Sequence, residues 1–266
     1  RGHTIDGCSV SFSPDGQQIV TAGADNKLRL WNRQGTPIAI YSGHTQEVRS
    51  VAFSKDGQFL LSASLDGTVK LWELDGRISR IFKGSDNGFI DANFSADGKL
   101  ITAAGFDNKI RVWRIEDGVL LTTIEGHEEE VRSVSFSSDD TQIVSAGGDG
   151  QVKIWSLDGE LIATLSSGGE AVWDASFIEV ANANASLTNP SSTNTSPVRG
   201  MVLAAGEDKQ ATLWDLGSVL NDTELIEQSC QWVANYLETN VDAEDNRDLC
   251  QAFLKPDNIS TNHASN

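Results

Sequence analysis

Short apolar stretches separated by Asp-Gly pairs organise most of this chain. Between Gly43 and Gly76, VRSVAFS (48 to 54) and FLLSAS (59 to 64) are split by Lys55-Asp56-Gly57; VKLWEL (69 to 74) follows LDGT, and RISRIF (77 to 82) follows LDG. Asp-Gly supplies the left-handed backbone of a tight hairpin, so the segment predicts four short strands in an antiparallel meander. Apolar residues occupy both alternating positions of the middle strands, the pattern of a sheet covered on two faces. The unit is copied. Trp31, Trp72, Trp113, Trp155 and Trp214 each follow an aspartate (Asp25, Asp66, Asp107, Asp149, Asp208) by six residues, at intervals of 41, 41, 42 and 59. A fixed period of this length means each copy buries its faces against its neighbours, and fold and chemistry must be read per copy.

Other positions repeat with the tryptophans: Gly2-His3, Gly43-His44 and Gly126-His127, and the turn F-S-x-D-G at 12 to 16, 53 to 57 and 94 to 98. Trp214-Asp215 is the one literal Trp-Asp pair; Asn32, Glu73, Arg114 and Ser156 stand in the second place elsewhere. On these motifs residues 2 to 216 resemble the WD-repeat family. The resemblance implies an all-β β-propeller of four-stranded antiparallel blades around a central channel. Five blades are expected, at about 1–42, 43–83, 84–125, 126–166 and 167–216, the last without its outer strand. Because such propellers usually have seven blades, closed by an N-terminal strand, the expectation is that upstream blades or domains of the same polypeptide complete the ring. Without them the arc has exposed edges.

Three copies carry the elements of a catalytic triad: His3, Thr21, Asp25; His44, Ser62, Asp66; and His127, Ser145, Asp149. A nucleophile needs a cleft and an oxyanion site, and it is ordinarily unique. Here the set recurs beside Trp31, Trp72 and Trp155 at constant spacing. The family resemblance implies a buried structural network, and a buried carboxylate must indeed be hydrogen-bonded. The third copy has Ser85 and Ala103 at the His and Ser/Thr positions, and the fifth Gly168 and Ala204. Both groups vanish together, as expected of partners, and blades three and five are expected to be less rigid.

Partners of WD-repeat propellers usually engage the wide face, through the residue four before the strand-one Phe and the residue just before the repeat Asp. Carried over, the first series is Cys8, Arg49, Ile90, Arg132 and Trp173, and the second Ala24, Leu65, Phe106, Gly148 and Glu207. Arg49, Leu65, Ile90, Phe106, Arg132 and Trp173 are the candidate binding residues, Arg and aromatics being common interface anchors. The alternative is that Arg49 and Arg132 are rim residues paired to Glu47 and Glu130, with Leu65 and Phe106 packed under loops.

The long last interval comes from VANANASLTNPSSTNTSPVRG (180 to 200), too polar to fold alone and expected to be a loop. After Leu216, apolar residues at 225, 226, 230, 233, 236 and 237 have helical spacing, and 243 to 253 predict a second short helix. This acidic helical extension, 217–266, resembles the ending of large bacterial WD-repeat regulators that carry an N-terminal nucleotide-binding ATPase. Its Cys230 and Cys250 are expected to be reduced packing residues, a disulfide between the helices being the alternative.

Charge narrows the function. The net charge of -18 and pI near 4.5 oppose nucleic-acid binding, which needs clustered Lys and Arg. No apolar run approaches the roughly 20 residues of a membrane span. With three cysteines and no signal segment, a cytoplasmic location is expected. No cofactor and no metal site is expected: there is no phosphate-binding Gly-Lys-Ser/Thr loop, and His263 is the one histidine outside the repeats. The leading expectation is a non-enzymatic scaffold or sensor for a protein or peptide partner. The alternative is a small-ligand sensor at the channel mouth.

Overall fold

The computed structural model describes residues 2–166, 169–179 and 200–215, and among them every regular element is a strand. The first sheet contains β1 (Gly7–Phe12), β2 (Gln18–Gly23), β3 (Lys27–Asn32) and β4 (Pro37–Ser42); the second contains β5 (Val48–Phe53), β6 (Phe59–Ser64), β7 (Thr68–Glu73) and β8 (Ile78–Lys83). The third holds β9 (Phe89–Phe94), β10 (Leu100–Gly105), β11 (Lys109–Arg114) and β12 (Leu120–Glu125). The fourth holds β13 (Val131–Phe136), β14 (Gln142–Gly147), β15 (Gln151–Ser156) and β16 (Leu161–Ser166), and the fifth β17 (Val172–Glu179), β18 (Gly200–Gly206) and β19 (Ala211–Asp215). Consecutive strands of each sheet pair antiparallel, four strands in the first four sheets and three in the fifth among the described residues. Gly200, which the sequence placed in the insertion, opens β18. The rest of the insertion and the two expected helices, with Cys230 and Cys250, lie outside the described residues.

Strand alternation explains the doubly apolar pattern. In the second sheet, Leu60 and Trp72 pack with Val20, Leu28, Leu30 and Tyr41 of the first, whereas Leu61, Ala63, Val69 and Leu71 pack with Phe89, Ala92 and Ile101 of the third. Similar cores join the third sheet to the fourth and the fourth to the fifth. The five described sheets therefore share no single core; their stability is distributed over the interfaces between neighbouring sheets. The first strands β1, β5, β9, β13 and β17 lie side by side in succession. Between them, position three of each strand links sheets: Ser50 Oγ donates to Asp91 Oδ1 at 2.7 Å, Val134 N–H donates to Asp91 Oδ2 at 3.0 Å, and Ser133 Oγ donates to Asp174 Oδ1 at 2.6 Å. Burial pushes the Asp91 carboxyl above its ordinary range, although Ser50 and the amides of Val134 and Ala92 hold its charged form.

The fourth sheet breaks the F-S-x-D-G turn, and the packing shows why that is tolerated. Gly16, Gly57 and Gly98 have φ of 65, 70 and 70°, and Asp140 takes the same left-handed conformation at 57°. Its carboxylate accepts the amides of Ala96 (2.6 Å) and Asp97 (2.8 Å) in the turn of the third sheet, bonds a glycine cannot make.

One face is uncovered. Val10 and Phe12 on β1 are 59% and 62% exposed, while Val51 and Val134, in the place of Val10, are 4% and 0% exposed. In every later sheet the preceding sheet covers these positions; no sheet among the described residues covers them in the first.

Candidate interaction surface

In the second sheet, Trp72 Nε1–H donates to Ser62 Oγ at 2.8 Å, Ser62 Oγ lies 2.7 Å from His44 Nε2, and His44 Nδ1 lies 2.8 Å from Asp66 Oδ2. The chain of donors is consistent with a neutral imidazole: Ser62 O–H donates to Nε2, and Nδ1–H donates to the carboxylate. The fourth sheet repeats it through Trp155, Ser145 and His127, at 2.8 and 2.7 Å, with Asp149 at 3.0 Å. In the first sheet Trp31, Thr21, His3 and Asp25 are joined at 2.9, 2.8 and 2.8 Å. Burial pushes His44 and His127 below the usual histidine range, against the pull of Asp66 and Asp149. Burial also opposes the charge on Asp66, but hydrogen bonds from His44, Thr68 and the Thr45 amide hold its carboxyl well below the usual range. Ser62 and Ser145 are 0% exposed, so no substrate carbonyl reaches either hydroxyl. These triads tie strands together.

Sequence reasoning missed a fifth side chain of the network. Arg29 pairs with Asp25 at 2.8 Å, Lys70 with Asp66 at 3.8 Å and Arg111 with Asp107 at 2.6 Å, all three cations nearly buried, as is Lys153 in the fourth sheet. The signal was present: an Arg or Lys lies four residues after the Asp and two before the Trp in D-x-x-x-[RK]-x-W in four copies, and Thr212 replaces it in the fifth. The third sheet, lacking the histidine, is locked otherwise. Phe89 and Phe82 pack on Trp113 at centroid distances of 5.9 and 5.8 Å, and the Arg111 guanidinium lies over Phe89. Aromatic packing thus stands where the histidine network stands in the first, second and fourth sheets, and among the described residues the buried Arg111 Nη1 and Thr102 Oγ1 have no hydrogen-bond partner.

The wide-face series have a common structural origin. In each first strand the register with the second strand slips at one residue, between Gly7/Ser9, Val48/Ser50, Phe89/Asp91, Val131/Ser133 and Val172/Asp174. The skipped residues are Cys8, Arg49, Ile90, Arg132 and Trp173. A β-bulge leaves its extra residue out of the ladder and re-aims its side chain, so these positions are free to vary. The second series is tied beside the first: the amides of Ala24, Leu65, Phe106, Gly148 and Glu207 donate to the carbonyls of Asp6, Glu47, Gly88, Glu130 and Ala171 at 2.9, 3.0, 3.3, 2.9 and 2.9 Å. Both series therefore sit at the end of the sheets where β2 turns into β3.

At that end Trp173 is 53% and Phe106 41% exposed, while Leu65 and Ile90 are half-buried. The arginines are internally paired. Arg49 donates to Glu47 at 2.7 Å, and Cys8 Sγ reaches the same carboxylate at 3.2 Å. Arg132 donates from Nε and Nη2 to Glu130 at 3.0 and 2.8 Å and from Nη1 to Glu207 at 3.2 Å, with its Cζ 4.0 Å from the centre of the Trp173 ring. Among the described residues no three His, Cys, Asp or Glu side chains are grouped to hold a metal ion.

A family model described as WD domain, G-beta repeat matches residues 1–32, 35–73, 76–114 and 118–156, more than half of the chain. The chain belongs to the WD40-repeat family. Each matched segment after the first begins before the outer strand of one sheet and ends on the third strand of the next, so these three repeats each straddle two sheets and link them covalently. The antiparallel four-stranded sheets are consistent with a WD40 propeller, and WD40 repeats generally mediate protein–protein interaction as scaffolds. The comparison with curated proteins finds no match to this chain.

Proposed function

We propose that this WD40 region is a non-catalytic scaffold or sensor that captures a protein or peptide partner on the bulge-bearing end of its sheets, as the C-terminal propeller of a larger bacterial regulator. The observation that carries the reading is the pair of exposed aromatics, Trp173 and Phe106, held at one end by a rigid scaffold whose repeated positions are consumed by packing and hydrogen bonds. Replacing Arg49, Phe106 and Trp173 together by alanine is expected to abolish capture of the partner while the melting curve stays within a few degrees of the parent. Undiminished capture by the folded triple variant overturns the assignment.

The bare near face of the first sheet supports a second element of the proposal: a further WD40 repeat of the same polypeptide covers Val10 and Phe12. Their counterparts in later sheets are covered by a preceding sheet, which identifies the kind of surface that fits. Amide exchange at Val10 and Phe12 is expected to be at least ~tenfold slower in a chain carrying additional repeats than in residues 1–266 alone. Equal exchange in the two contradicts it.

A further inference from the structure

Taking the interaction end as proposed, its electrostatics indicate what kind of partner fits. The cations there are largely spent. Arg49 is paired to Glu47, and Arg132 directs its guanidinium edge at Glu130 and Glu207 and its face at Trp173. The carboxylates are not spent. Among the described residues Glu130 and Glu207 accept from Arg132 through Oε1 and make no bond through Oε2, and Glu129 makes no side-chain hydrogen bond or ion pair. A Cβ added at Gly148 would lie 3.0 Å from Glu129 Oε2 and 3.0 Å from Glu130 Oε1, so the absence of a side chain there lets the two carboxylates converge. Among the described residues Lys209 lies on the same turn as Glu207, and Lys109, next to the Asn108 that donates to the Glu128 carbonyl, is already paired with Glu125, against the carboxylates of Glu128, Glu129, Glu130 and Glu207.

The aromatic component is independent of the charge. Trp173 stands at a β-bulge, more than half exposed, with Arg132 held against its ring. A guanidinium already on the indole shows that the ring accepts a cation, and Arg132 fixes the ring so that little side-chain entropy is lost when a second group packs on it. Carboxylates with spare acceptors beside an immobilised indole match the requirements of an Arg or Lys side chain: bidentate or point-charge acceptors at its head and an apolar surface for its stem.

We propose that Trp173, with Glu129, Glu130 and Glu207, receives an arginine or lysine side chain of a basic peptide segment in the partner. An acidic partner is disfavoured because both arginines of this end would first have to leave existing carboxylate partners.

The test uses residues 1–266 and three fluorescein-labelled nonapeptides, one alternating Arg and Gly, one alternating Glu and Gly, and one alternating Tyr and Gly, followed by anisotropy. The Arg peptide is expected to bind, to weaken at least ~tenfold as salt rises from about 0.05 to about 0.3 M, and to lose a further ~tenfold or more in each of Trp173→Ala and the double variant Glu129→Gln, Glu130→Gln. Asn replacements of Asp117 and Asp158, at the opposite end, remove as much negative charge and are expected to leave the binding within twofold of the parent, roughly the variation of a distant surface change. Arg-peptide binding that is insensitive to Trp173 and Glu129/Glu130, but falls equally with the opposite-end variant, shows attraction to net charge alone and overturns the proposal. Binding of the Tyr or Glu peptide at Trp173 in place of the Arg peptide also overturns it, while leaving the broader reading of a peptide-binding end intact. No Trp173-dependent binding of any peptide, together with unimpaired partner capture by the triple alanine variant, sinks both.

Discussion

Replacing His44 by alanine is expected to lower stability by about 3 kcal/mol, and the melting temperature by roughly 5–12 °C for a unit of this size. The imidazole is fully enclosed and its two shortest bonds run to Ser62 Oγ at 2.7 Å and to Asp66 Oδ2 at 2.8 Å. Its loss leaves a cavity beside Trp72 and deprives a nearly buried carboxylate of a donor, and breaking one side of a buried charged pair is far more damaging than replacing both. The coupling is testable. In the parent, Ser62→Ala removes the acceptor of Trp72 Nε1–H and the donor to His44; in the His44→Ala background only the first loss remains. The two substitutions are therefore expected to be less than additive by about 1 kcal/mol in chemical denaturation. An unchanged melting curve for His44→Ala, or strict additivity, contradicts the network. The sequence shows the same logic in the third repeat, where Ser85 and Ala103 replace both groups at once.

Acid is expected to unfold this unit in two stages. Burial holds His44 and His127 below the ordinary histidine range in the folded state, so the unfolded chain takes up protons that the folded chain refuses. Their contribution is fully present above the unfolded value of about 6.5 and is lost as pH falls below it, with a slope of up to about 2.7 kcal/mol per pH unit for two groups. Asp25, Asp66 and Asp149 are held below the ordinary carboxylate range, against burial, mainly by their His and backbone donors, and contribute stability above about pH 4 that is lost as pH falls further. Asp91 acts in the opposite sense: its raised value means that protonation relieves a buried charge, which softens the second stage. Denaturant midpoints at intervals from about pH 8 to about pH 3 check this; a profile flat between about pH 7 and about pH 5 contradicts the neutral buried histidines.

The repeat made the architecture legible because alternation and Asp-Gly turns are local signals. Strands expected at 48–54 and 69–74 form as Val48–Phe53 and Thr68–Glu73, a residue shorter and a residue shifted. The networks around Trp31, Trp72 and Trp155 were equally readable, since fixed spacing across three copies marks fixed contacts. The bulges were not: a residue that slips the register leaves no mark in the apolar pattern, so the physical basis of the varying series Cys8, Arg49, Ile90, Arg132 and Trp173 emerges only from strand pairing. Arg29, Lys70, Arg111 and Lys153 were overlooked because charged residues are read as surface, although their stems cross the sheet and their heads meet a buried Asp in the first three sheets. The aromatic lock of the third sheet depends on Phe82 of the neighbouring sheet, a contact that no single repeat encodes.

The central claim is that the bulge-bearing end of this WD40 unit is where a partner docks. A photo-reactive amino acid placed singly at Phe106 and at Trp173, and for comparison at Lys55 and at Asp139 in turns of the opposite end, tests it in the presence of the partner. Crosslinks from Phe106 and Trp173 and none from Lys55 or Asp139 are the result the account predicts; crosslinks confined to Lys55 and Asp139 would contradict it.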